Sequence, residues 1–182
     1  ANEFRLHLRP TDFLNEAVIP RYDVELKEGA PDSILPKLRR ISFDKLNVLK
    51  DVVEKRVAEN VLVRLPKGAT SKFASNCFLV TKPGKDPDRD GADAYRLVVS
   101  HVEINQHTVT HYFPLPHPES LNNMLQGGQF YFSLDVASAY YQRRLTPRAQ
   151  ELFTIQVPDG FLKPTRLPMG AKNSGAAWMA VI

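Results

Sequence analysis

Apolar positions recur with two different periods along this chain of 182 residues. From Ser42 onward, Leu46, Leu49, Val53 and Val57 fall at helical spacing and Val52 widens the stripe. Lys45, Lys50, Lys55 and Arg56 lie largely off that stripe. The pattern predicts an amphipathic helix, capped by the Ser42 hydroxyl and ending near Asn60. Tyr22 to Leu26 alternates with period two and predicts a short edge strand. Asn76–Thr81 and Tyr95–Val99 read as the strands of a hairpin across the long polar turn Pro83–Gly91. Thr108–Phe113 reads as a further short strand, stopped by Pro114 and Pro116.

The second half continues in the same mixed style. Pro118–Leu125 predicts a short helix ended by Gly127-Gly128. The apolar run from Phe130 predicts a buried strand that closes on Asp135. Thr146-Pro147 opens a helix. Leu152–Val157 and Phe161–Leu167 read as two strands across Pro158-Asp159-Gly160. Ala171–Ile182 reads as a helix capped by Asn173 or Ser174, with Trp178 inside it. Strands and helices are interspersed with hairpin-like connections rather than regular βαβ units, which is an α+β pattern. Residues 1–41 carry Pro10, Pro20, Pro31 and Pro36, so most of that stretch is expected to lie as an extended arm.

Composition adds three constraints. Apolar and charged contents are ordinary for a globular chain, and no apolar run approaches the roughly 20 residues that span a bilayer. The single Cys77 forbids an internal disulfide and a Cys-based zinc site, and its apolar surroundings predict a buried, inert thiol. With no basic-then-apolar leader at Ala1–Phe4, an intracellular location is expected, whether cytoplasm, nucleus or organelle. The net charge is +4, but between Lys37 and Lys85 twelve basic residues face four acidic ones. That asymmetry fits a lobe facing a polyanion, and equally a solvated helix face with pairs such as Asp51–Lys55.

Asp135 is the most informative candidate. An ionised carboxylate at the end of a buried strand costs several kcal/mol unless it is paired or metal-bound. A divalent metal is one compensation; a plain capping role for the next turn is the other.

Several segments, taken in order, resemble a known family. They are Leu26-Lys27-Glu28-Gly29-Ala30, the helix from Ser42, Ala74-Ser75-Asn76-Cys77-Phe78-Leu79-Val80-Thr81-Lys82, and Tyr95-Arg96-Leu97-Val98-Val99 with Ile104-Asn105. They continue with Tyr112-Phe113-Pro114-Leu115-Pro116, Phe132-Ser133-Leu134-Asp135 with Ala139-Tyr140-Tyr141-Gln142, and Leu167-Pro168-Met169-Gly170-Ala171-Lys172-Asn173-Ser174. The chain resembles the amino-terminal part of a reverse transcriptase of the gypsy-like LTR-retrotransposon and retroviral type. The resemblance covers roughly residues 22–182. It implies an arm (1–21), a fingers subdomain (22–113) and a partial palm (114–182). It also implies two-metal nucleotidyl transfer, with two Mg²⁺ about 3.5–4 Å apart. Asp135 matches one of three metal carboxylates, and Val136 would lend a backbone carbonyl. Tyr140 matches the steric gate against a ribose 2′-hydroxyl. Lys82 and Arg96, with Lys85 competing for the same task, match the clamp on an incoming triphosphate. Met169 and Gly170 would line the floor under the nascent base pair. Lys67, Lys72 and Lys172 would meet the template-primer.

The departures bear on activity. The returning fingers strand usually runs Arg-x-x-x-Asp-Tyr-Arg; here it is Arg96-Leu97-Val98-Val99-Ser100-His101-Val102. Gln150-Glu151-Leu152-Phe153 replaces a Lys-Thr-Ala-Phe-like element, and Gly175 stands where Pro is usual. The family's Tyr-x-Asp-Asp motif does not occur in these residues. The expectation is a polymerase fragment inactive by itself, whose open palm is covered by the remainder of a polyprotein. The alternative is a catalytically dead structural or RNA-binding component of a ribonucleoprotein.

Overall fold

The computed structural model describes residues 19–115, 117–131 and 135–181. A five-stranded mixed sheet forms its centre, in the order β1-β5-β4-β2-β3. The strands are β1 (Leu62–Arg64), β2 (Ser75–Thr81), β3 (Tyr95–Ser100), β4 (Ile155–Val157) and β5 (Gly160–Pro164). Both expected hairpins are present. β2 pairs antiparallel with β3 from Asn76↔Ser100 to Thr81↔Tyr95, and β4 pairs antiparallel with β5. β2 also pairs in parallel with β4, which makes the α+β sheet a mixed one. The parallel pair needs the long crossover between Thr81 and Ile155, and no periodicity within either strand encodes that.

Helix α1 (Phe43–Ala58) buries Leu49, Val52 and Val53, as its stripe predicts. Leu49 and Val53 pack with Cys77, Ile155, Val157 and Leu162 beneath the sheet. The helix ends where Asn60 turns to φ 55°, a left-handed conformation that Asn tolerates. Ser42 occupies the capping position but its hydroxyl makes no capping bond. Lys55 reaches Asp93 at 2.7 Å rather than pairing along the helix.

A second core joins Tyr22, Val24, Ile104, Leu145, Leu152, Phe153 and Leu167. The alternation at 22–26 is real, but it makes isolated bridges, Tyr22↔Leu145 and Leu26↔Thr108, rather than a strand. The predicted strand from Thr108 is likewise reduced to that one bridge. Thr108 turns its hydroxyl back to the Ile104 carbonyl at 2.8 Å, at the end of α3 (Val102–His107). Helix α5 (Pro147–Leu152) starts as expected, with the Thr146 hydroxyl accepting from the Ala149 N–H at 3.1 Å. The polar turn after Pro83 is more ordered than the sequence suggests. It contains α2 (Pro87–Asp90), capped by the Asp86 carboxylate on the Asp88 N–H, and a 3₁₀ turn (Gly91–Ala94).

The greatest difference lies between Tyr112 and Val136. Helix α4 (Pro118–Leu125) forms, yet buries none of its residues. Phe130 and Tyr131 are exposed and lie in no strand, and Asp135 and Val136 are exposed as well. The expected strand is therefore not seen at its described ends; Phe132, Ser133 and Leu134 lie outside the described residues, as do Pro116 and most of the expected arm (1–18). The physical reason is that no described element packs over these apolar positions, so burial cannot select an extended ladder there. Helix α6 (Ser174–Met179) ends the described chain without a side-chain cap. No described helix is long and apolar enough to cross a membrane.

Candidate nucleotide and nucleic-acid interface

Residues directly opposite each other in an antiparallel pair share a face. On one face of β2–β3, Cys77, Leu79, Leu97 and Val99 pack toward α1. Phe78 and Val80, paired with Val98 and Arg96, occupy the other. The Lys82 N–H donates to the Ala94 carbonyl at 2.7 Å and extends the ladder by one rung. Lys82 and Arg96 therefore stand diagonally on the outer face, a spacing of about 7–8 Å for such neighbours. Arg39 adds a third cation there, its guanidinium 5.1 Å from the Phe78 ring centre.

The local electrostatics are mixed. Lys82 Nζ donates to the Asp93 carbonyl at 2.7 Å. Arg96 is exposed and makes no hydrogen bond or ion pair among the described residues. Lys85 pairs with Asp90 at 3.3 Å. The Asp93 carboxyl is held below its ordinary range, first by the hydrogen bond from Lys55. Asp90 is lowered mainly by the Asp86 N–H. Of the expected clamp residues, Arg96 is thus the one unengaged cation, Lys82 is engaged only through a neutral carbonyl, and Lys85 is neutralised by a carboxylate.

Met169 and Gly170 sit beyond the Ser100 end of this hairpin. A side chain at Gly170 would approach the Val99 carbonyl at 3.8 Å, and φ is 86°. Asn105 fixes the loop: its Nδ2 donates to the Gly170 carbonyl and its Oδ1 accepts from the Lys172 N–H, both at 2.9 Å. Met169 is 53% exposed, which excludes a core role for it. Tyr140 is half-buried against the second core, with Gly175 leaving its hydroxyl about 3.9 Å of clearance from a would-be Cβ. Lys172 is exposed but its Nζ donates to the Thr108 carbonyl at 3.1 Å. Lys67 and Lys72 are exposed.

Among the described residues, no three His, Cys, Asp or Glu side chains gather closely enough to hold a metal ion. Asp135 is exposed and belongs to no such group among the described residues, and a single carboxylate does not make a Mg²⁺ site, because Mg²⁺ needs shared carboxylates and substrate phosphates.

Three residues carry structure that the motif reading did not assign. Asn105 is one. Asn173 is buried and joins segments rather than capping α6: its Oδ1 accepts from the His111 N–H at 3.0 Å and its Nδ2 donates to the Val109 carbonyl at 2.7 Å. His101 is the third. It is 2% exposed, faces Phe153 edge-on at 5.0 Å, and meets the Ser75 hydroxyl through Nδ1 at 3.2 Å. Its Nε2 has no hydrogen-bond partner among the described residues, and burial pushes its pKa down to about 4. Its place in the altered Arg-x-x-x-Asp-Tyr-Arg segment was the only signal in the sequence.

The arrangement matches known proteins across most of its length. The chain is 25% identical over 126 residues to the Pol polyprotein of transposon 297 from Drosophila melanogaster, covering 69% of the chain and 12% of that protein. It is 29% identical over 163 residues to the Gag-Pol polyprotein of gibbon ape leukemia virus, covering 86% and 9%. Its backbone superposes on a foamy viral protease–reverse transcriptase, solved with double-stranded DNA, with a TM-score of 0.61 at 17% identity, over 89% of this chain and 25% of that one. The homologues are Pol polyproteins of gypsy-like retrotransposons and retroviruses. The α+β fold is that of a reverse transcriptase. No family model matches the chain. The chain spans about 12% of the length of the first of these polyproteins, so it corresponds to a small part of such a protein.

Proposed function

We propose that this segment supplies the triphosphate- and template-facing lobe of an RNA-directed DNA polymerase, with residues 22–113 as fingers and 114–182 as part of a palm. The observation that carries this reading is the shared outer face of Lys82 and Arg96, with Arg39 beside them. A planar guanidinium suits bidentate phosphate contact, and an ammonium adds a point charge. Met169 and Gly170, held by Asn105 near the end of the same hairpin, stand where a nascent base pair would rest. Tyr140 is oriented from the adjoining core as the sugar gate. Template-primer contact by Lys67, Lys72 and Lys172 is to phosphates.

Asp135 would contribute one carboxylate to a Mg²⁺ site that further carboxylates would have to complete, and an ion held there would stabilise the attacking and leaving oxygens. The chain alone is therefore inactive in primer extension. The test is deoxynucleoside triphosphate binding to the chain, followed by fluorescence titration, against Arg96→Ala and Lys82→Ala. Each substitution is expected to weaken binding about tenfold. Binding unchanged in both variants, or Mg²⁺-dependent synthesis by the chain alone, overturns the reading.

A further inference from the structure

Two side-chain amides stand next to each other on the outer face of the sheet. Asn76 of β2 and Gln156 of β4 are partners in the parallel pair, and their neighbours Cys77, Ile155 and Val157 pack with α1, so both amides lie on the side of Phe78. The Gln156 Nε2 donates to the Asn76 Oδ1 at 3.0 Å and to the Pro36 carbonyl at 2.8 Å. The Asn76 Nδ2 donates to the Lys37 carbonyl at 3.0 Å, and its Oδ1 accepts from the Arg39 N–H at 2.9 Å. Only one orientation of the Asn76 amide meets both a carbonyl and an N–H, so its partners fix how it points.

These bonds secure a stretch that is otherwise loosely tied. Residues 35–42 form no helix or strand. Ahead of them, the Ile34 N–H donates to the Lys72 carbonyl and its carbonyl accepts from the Ala74 N–H, both at 2.8 Å. Among the described residues, the backbone of 35–40 makes no hydrogen bond except the three to Asn76 and Gln156. The stretch carries Lys37, Arg39 and Arg40, all exposed and without an ion pair among the described residues. The Arg39 guanidinium lies 5.1 Å from the ring centre of Phe78, which follows Asn76 on the same face of β2. Arg96, opposite Val80, stands diagonal to that ring. One exposed cation–π contact does not offset the entropy of ordering several backbone residues and a long side chain. The amide bonds add what that contact lacks, because they fix the Arg39 backbone within reach of the ring.

We propose that Asn76, braced by Gln156, is a positioning residue that aims Arg39 at nucleic-acid phosphates along the outer face of the β2–β3 hairpin. Asn76 acts through Arg39 and brings no charge of its own to a phosphate. The ligand rests on the polymerase reading above; the hold of the two amides on the Arg39 backbone does not.

The test measures the hold and its consequence separately, on the whole chain. Without ligand, hydrogen exchange at the Arg39 amide is expected to be about tenfold faster in Asn76→Ala, with exchange in β5 unchanged. Affinity for a short DNA duplex is then followed against salt. Arg39→Ala is expected to weaken binding and to lower the slope of log affinity against log salt by about 1. Asn76→Ala is expected to do the same although it removes no charge, and the double variant is expected to bind no more weakly than Arg39→Ala alone. Gln156→Met, which stays long but loses the Pro36 bond, is expected to move exchange and slope in the same direction, and it carries the test if Asn76→Ala does not fold. Unchanged exchange at Arg39, or additive losses from Asn76→Ala and Arg39→Ala, overturns the proposal. Duplex binding indifferent to Lys82→Ala and Arg96→Ala sinks the polymerase reading, whereas a loss in those two with none in Asn76→Ala sinks only the role given to Asn76.

Discussion

Asn105 holds Gly170 in place: its Nδ2 donates to the Gly170 carbonyl at 2.9 Å while its Oδ1 takes the Lys172 N–H two residues further on. One side chain therefore ties α3 to the loop that precedes α6. Asn105→Ala removes both bonds and leaves two backbone groups to water. The expected cost is about 1–2 kcal/mol of stability, read by denaturant melting. Hydrogen exchange should rise at 169–172 well before it rises in β2. Equal protection of that loop in parent and variant would contradict the assigned role.

His101 gives the fold an acid sensitivity. Its folded pKa is about 4, below the ordinary histidine value of 6.5. Between these values the unfolded chain binds the extra proton and the native chain does not. Stability is therefore fully present above about pH 6.5, falls as pH drops through that window, and levels off near pH 4. The loss is on the order of 3 kcal/mol. Chemical denaturation from pH 7.5 to 4 should show it, and His101→Gln should flatten that part of the profile. A profile of the same slope in the variant would remove His101 as the cause.

Arg96 and Lys82 should act additively on polyanion binding. Their diagonal placement lets both meet phosphates of one strand, so the affinity for a short duplex should fall steeply with salt. Each alanine substitution is expected to lower the slope of log affinity against log salt by about 1, with little change in sequence preference. Lys85→Ala should change the slope less, because Asp90 already faces that ammonium at 3.3 Å. Equal effects from all three residues would sink the distinction drawn between them.

Thr146 joins two jobs in one hydroxyl. It accepts from the Ala149 N–H and donates to the Asp23 carboxylate at 2.8 Å, linking the start of α5 to the segment beside it. Thr146→Ala is expected to cost about 1–2 kcal/mol. Thr146→Ser should restore most of it, since the hydroxyl is what matters. Failure of serine to rescue would shift the explanation to the lost methyl packing.

Much of the local structure was legible because its cause is local. The α1 stripe of Leu49 and Val53 faces a core, and Thr146-Pro147 starts a helix as their chemistry requires. The Pro158-Asp159 turn joins β4 to β5. The reverse-transcriptase resemblance, too, was readable from short collinear segments. What failed had a non-local cause. The run from Phe130 has strand propensity, but strand propensity reflects packing, and its described ends have no packing partner. Asn173 was read as a cap, yet its amide is taken up by Val109 and His111, residues more than sixty positions away.

The sequence by itself determined the α1 stripe, the helix start at Thr146-Pro147, the two hairpins and the resemblance carried by its collinear motifs, because period, proline and capping chemistry act over a few residues. Only the tertiary structure decided that β2 lies parallel to β4, that Lys82 and Arg96 share a face, and that Asn76 stands beside Gln156. Those outcomes depend on strand register, and a register shift of one residue reverses the face of every side chain.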